Sequence, residues 1–133
     1  MQPLELLNAK IAGFPGYADD LSRERSDELV RSYLGEALSD VQVRLQPLAD
    51  AQNQRIGDLL MRTGFVNQEV YRAYEDGART RTNFDSVAAA DARVIELADR
   101  AATIDASNLS AFLDEIVATL DARDAAMDGA PAG

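Results

Sequence analysis

The sequence predicts an all-α protein: an elongated antiparallel bundle of three to four main helices, with a short N-terminal helix and one long, Pro-kinked central helix. Two observations carry this reading. Apolar residues recur at three- and four-residue spacing throughout, and no stretch alternates apolar with polar as a half-buried strand would. Between the apolar stripes lie short clusters of Gly, Pro, Asn and Asp, the residues that end and cap helices. A chain of 133 residues suits one domain with a modest core. Residues 1–127 are expected to form that domain, and 128–133 to be a disordered tail.

Pro3 can open the first helix, because a first-turn proline sacrifices no hydrogen bond. Leu4, Leu7 and Ile11 then share a face, and Gly13 can stop the helix. In Phe14-Pro15-Gly16-Tyr17 the Pro and Gly mark a turn, flanked by two aromatics able to plug a bundle end. Asp19 or Asp20 is a suitable cap for the central helix, expected over Leu21 to Arg62. Its stripe runs Val30, Leu34, Leu38, Val41, Leu45, Leu48 and resumes at Ile56, Leu59 and Leu60. A helix of that length spans about 60 Å. In its first turns Arg23, Asp27 and Arg31 are spaced four apart, as surface ion pairs are. Pro47 removes one helical bond and is expected to bend the helix without dividing it. Gln52-Asn53-Gln54 interrupts the stripe. Either it fixes register or oligomeric state from within the core, or the bend turns it out to water.

Gly64-Phe65-Val66 is expected to end this arm, and Asn67 to cap a helix carrying Val70, Tyr71, Tyr74 and Ala78. The run Thr80–Ser86 has poor helix propensity, so a break is expected near Asn83 to Ser86. Val87, Val94, Leu97, Ala101 and Ile104 rebuild a seam, and Asp105-Ala106-Ser107-Asn108 forms a turn with a built-in cap. Leu109, Leu113, Ile116, Leu120 and Met127 then mark the last helix.

The segment Gly13-Phe14-Pro15-Gly16-Tyr17, followed by Arg23-Glu24-Arg25-Ser26-Asp27-Glu28-Leu29-Val30-Arg31, resembles the opening of a group of small uncharacterised bacterial helical proteins. In these a P-G-Y turn leads into a charged helix. The resemblance covers about the first quarter of the chain. It implies a bacterial, helical, single-domain protein and no particular activity.

Composition narrows the function. The chain carries 23 acidic against 13 basic residues, a net charge of −10, and Lys10 is its single lysine. A field of this sign repels phosphate backbones and anionic lipid, so neither nucleic acid nor a membrane surface is expected as a partner. A basic protein fits better; a high-salt environment would also account for an acidic surface. There is no cysteine and no histidine. Disulfides, thiol chemistry, the commonest general base and the commonest metal ligand are therefore all missing. No apolar run reaches membrane-spanning length, and no basic-then-apolar leader opens the chain, so a cytoplasmic protein is expected.

The candidate functional residues are few. Arg72, Arg79 and Arg81 form the one local basic cluster and could grip a phosphate or carboxylate. The simpler reading pairs them with Asp114, Glu115, Asp121 and Asp124 of the last helix. Glu96-Leu97-Ala98-Asp99 matches half of the carboxylate pattern of all-α nucleotide pyrophosphohydrolases, but no E-x-x-E precedes it. Charge at helical spacing is usually solvated surface. Asp121, Asp124 and Asp128-Gly129 have the wrong spacing for a calcium loop. Leu29, Val30, Tyr33, Leu34, Leu59 and Met61 widen the central stripe beyond what one facing helix needs, and could form an interface in a homodimer that tightens with salt. No catalytic residue, cofactor or metal site is expected. The leading expectation is a non-enzymatic acidic helical scaffold that binds another protein. A metal-dependent pyrophosphohydrolase-like enzyme using Glu96 and Asp99, or a chaperone-like carrier of an apolar segment, are the alternatives.

Overall fold

The computed structural model describes residues 2–64 and 83–127. These form five α-helices: α1 (Pro3–Lys10), α2 (Asp20–Arg44), α3 (Asp50–Arg62), α4 (Phe84–Arg100) and α5 (Leu109–Met127). A single 3₁₀ turn, Ala101–Thr103, extends α4. No strand occurs among the described residues.

Helix boundaries fall where the local chemistry puts them. Pro3 stands at the start of α1, and the backbone turns left-handed at Gly13 (φ 73°), where a side chain would be strained. Asp19 caps α2 by accepting from the Ser22 N–H at 2.8 Å. Asn83 caps α4 in the same way from Ser86, at 3.2 Å. Before α5, Asp105 accepts from the N–H groups of Ser107 and Asn108 while the Asn108 side chain accepts from the Asp105 N–H. Replacing Asn83 by Ala should cost about 1 kcal/mol, read from urea denaturation, since its side chain is exposed and does little besides capping.

The central helix is divided, not bent. Helix α2 ends at Arg44, residues 45–49 leave the helix, the Gln46–Pro47 peptide is cis, and α3 begins at Asp50. Proline has no N–H to give, and it drives the residue before it out of the α region. The polar side chains nearby complete the turn. Gln46 Nε2 donates to the Gln42 carbonyl at 2.9 Å and to Asn53 Oδ1 at 3.1 Å, and Asn53 Nδ2 reaches the Leu48 carbonyl at 3.3 Å. Gln54 donates to Asp58. The polar interruption therefore opens α3, where Asn53 is tied to the preceding turn, and does not break the seam of one continuous helix. Freed at residues 45–49, α3 folds back along α2, where Arg31 Nη1 donates to the Thr63 carbonyl at 2.9 Å.

Cross-helix bonds fix the remaining directions. Arg93 and Arg100 of α4 both reach Glu115 of α5, at 2.9 and 3.0 Å, and the Asn83 N–H donates to the Ala126 carbonyl at 3.0 Å. These two helices are antiparallel. By contrast α2 and α4 run in the same direction: Tyr33 pairs with Asp99, and Arg44 Nη1 and Nη2 donate to the carbonyls of Ile104 and Ala101 at 2.9 and 2.7 Å.

The apolar stripes meet in one cluster. It holds Leu7, Ile11 and Phe14 from the N-terminal arm, Val30, Leu34, Leu38 and Val41 from α2, and Ile56, Leu59 and Leu60 from α3. Ile95 and Leu97 join from α4, with Leu109, Phe112, Leu113, Ile116 and Leu120 from α5. A small satellite of Val87, Ala126 and Met127 closes the end near Tyr17 and Phe84. Arg23 sits over the Phe84 ring, 4.1 Å from its centre, and does not pair with Asp27.

Candidate functional site

Five polar side chains are buried among the described residues, and three of them meet. Arg123 of α5 is 1% exposed, Asp91 of α4 is 0% and Asp27 of α2 is 4%. The guanidinium donates through Nε to Asp91 and through Nη2 to Asp27, the latter at 2.6 Å. Asp27 also takes Arg31 Nε at 2.9 Å, and the Tyr17 hydroxyl donates to Asp91. Burial pushes the Asp91 carboxyl above the usual carboxylate range, and Arg123 and Tyr17 pull only partly against it. Two carboxylates and two guanidiniums leave the group balanced. Buried charge this well matched joins α2, α4, α5 and the turn before α2 into one arrangement. Its groups answer one another, and none of them lines the groove described next.

The opening lies further along. Where the C-terminal part of α2 passes the end of α4, a groove of about 550 Å³ is lined by Ala37, Asp40, Val41, Val43, Arg44, Ala98, Asp99, Ala101 and Ala102. Alanine on both helices leaves the space that larger side chains would fill. Val43 projects from the rim and is 73% exposed, an unusual position for a large aliphatic side chain. Both cations near the groove are already engaged. Arg44 holds the carbonyls that end α4 and the 3₁₀ turn, and Lys10 pairs with Asp99 at 3.0 Å. Asp40 meets no cation among the described residues, and neither does the exposed Glu36 one turn before it. The C-terminal, negative ends of α2 and α4 point toward this end of the groove.

Asp99 illustrates how the groove wall is held. Burial pushes its carboxyl up, but hydrogen bonds from Tyr33 and Lys10 and the Lys10 charge outweigh this, and it ends below its ordinary value of 3.8. The Tyr33 hydroxyl is pushed up to about 12 by burial and by Asp99, so it stays a donor throughout the neutral range. A carboxylate with a depressed pKa stabilises the fold fully above its unfolded value, and that contribution is lost as pH falls through the folded value. Melting wild type and Asp99→Asn from pH 7 downward should show a gap that is constant to about pH 4 and narrows below it.

The other sequence-derived sites fall elsewhere. Arg72, Arg79 and Arg81 lie outside the described residues. Among the described residues, Asp114 pairs with Arg55, Asp121 and Asp124 with Arg62, and Glu115 with Arg93 and Arg100. Of the residues marked for an oligomer interface, Val30, Leu34 and Leu59 are buried in the chain's own core, and Leu29 and Tyr33 pack against it. Once α3 folds back on α2, the wide stripe is covered from within; Met61 stays 49% exposed. Glu96 is exposed, Asp99 is bound to Lys10 and Tyr33, and among the described residues no three carboxylates converge as metal ligands would. No helix of the described residues is long and apolar enough to cross a membrane. Compared with protein families, curated proteins and solved structures, the chain matches none.

Proposed function

We propose that this chain is a non-enzymatic acidic helical protein that binds another protein, and that the groove between α2 and α4 is where it does so. The observation that supports this reading is the groove itself. The long stripes of α2, α3, α4 and α5 are used up in the core, whereas here an alanine-lined recess, an exposed Val43 and Asp40, which meets no cation among the described residues, stand together. Such a mixture of apolar floor and polar rim is the anatomy of a protein-binding patch. Glu96 and Asp99 do not favour the hydrolase reading, because one is not among the residues that line the groove and the other is tied to Lys10.

Affinity capture from the cells that make the protein tests this, with Ala102→Trp as the comparison. Ala102 is exposed on the groove wall, so an indole there fills the recess without entering the core. A partner retained by wild type and lost with the filled groove is the expected result. Magnesium-dependent nucleotide turnover by the purified chain would overturn the reading.

A further inference from the structure

The groove also says what kind of partner segment it takes. We infer that it receives a segment pairing a bulky apolar side chain, laid on Ala37, Ala98 and Ala102, with an arginine or lysine that reaches Asp40. This rests on the groove being a protein-binding site, as proposed above.

Charge complementarity carries the inference. Asp40 lines the groove and Glu36 lies four residues before it on α2, so the two carboxylates follow one another along the same face. Each is without a cation among the described residues, although most exposed acids of α5 have an arginine. Their helix ends here too, and a helix C-terminus favours positive charge. The parallel course of α2 and α4 places the α4 terminus beside it. Arg44 has already answered part of the demand from within the chain by holding the last carbonyls of α4 and its 3₁₀ extension. Asp40 remains. An anionic segment would meet two carboxylates and two dipole ends of its own sign, which selects against it.

The apolar half of the inference follows from size and shape. Alanines at 37, 98 and 102 line the recess with short side chains, and its volume of about 550 Å³ leaves room for a bulky apolar side chain. Val43 at the rim adds apolar surface that a partner could cover. A leucine or methionine inserted over the alanines, beside a cation on Asp40, satisfies both halves in one segment.

A displayed library of short random peptides, selected on the immobilised full chain, is the test. The selected peptides should carry Arg or Lys next to a bulky apolar residue. Their affinity should fall at least about tenfold with Asp40→Lys and equally with Ala102→Trp, while Glu96→Lys, the same charge reversal at an exposed α4 residue outside the groove lining, should leave it nearly unchanged. Circular dichroism on each variant confirms that the helices persist. Equal loss with Asp40→Lys and Glu96→Lys, without an effect of Ala102→Trp, would overturn the inference: attraction to the whole acidic surface would remain, and protein binding with it. Selection of acidic or purely apolar peptides at the groove would overturn the chemistry assigned here and leave the site standing. Self-association in light scattering that Ala102→Trp abolishes would give the groove to a second copy and overturn it as well.

Discussion

Replacing Arg123 by Met should destabilise the protein by about 3–5 kcal/mol, because it strands the buried Asp91 carboxylate with only the Tyr17 hydroxyl for company. Asp27 suffers less, since Arg31 still holds it at 2.9 Å. For a chain of this size the melting temperature should drop by about 10–20 °C. The partner experiment separates lost pairing from lost packing. In the double variant Asp91→Asn with Arg123→Met the stranded charge is gone, so stability should return part of the way. Additive losses in this cycle would mean that the Arg123 stem, and not its charge, is what the core needs.

Replacing Phe112 by Ala should cost about as much, roughly 3–5 kcal/mol, for an unrelated reason. Phe112 is 1% exposed and is among the largest side chains of the core. Its removal forfeits transfer free energy and leaves a cavity in the core cluster that its neighbours cannot close without moving their own contacts. Leu21, at 80% exposure, provides the contrast: Leu21→Ala should change stability by less than about 0.5 kcal/mol. Urea denaturation of the two variants side by side measures both. Similar losses would mean that the core is loose enough to fill the gap.

Much of this architecture was legible in the sequence. Pro3, Asp19, Asn83 and the Asp105–Asn108 turn each act at a helix end, because capping depends on a few neighbouring atoms and so is written locally. The division at Pro47 was not read correctly. Without Gly nearby the stripe appeared continuous across it, and only the return of α3 along α2 reveals that Gln46 and Asn53 serve a turn. That return also removed the reason for expecting a dimer through Val30, Leu34 and Leu59, since the face in question is buried by the chain itself.

The buried charges escaped notice for a different reason. Spacing alone makes Asp27 and Arg31 a surface pair and says nothing of Asp91 and Arg123. Yet a signal was present. Asp91 falls four after Val87 and three before Val94, and Arg123 falls three after Leu120 and four before Met127. Each occupies a seam position, as Asp27 does three residues before Val30. Charge in a seam is either an error of register or half of a buried pair, and opposite signs on different helices favour the pair. The groove had no such signal. Ala37, Ala98 and Ala102 read as ordinary helix formers, and which alanines face a gap depends on how two distant helices pack.

The claim at the centre of this account is that a partner protein sits in the groove between α2 and α4. A photo-crosslinking amino acid placed at Val43, on the groove rim, and separately at Glu96, an exposed α4 residue outside the groove lining, tests it in the cells that make the protein. Irradiation should join a discrete partner to the chain labelled at position 43 and not to the chain labelled at 96. Equal crosslinking from both positions, or none from position 43, would contradict the account.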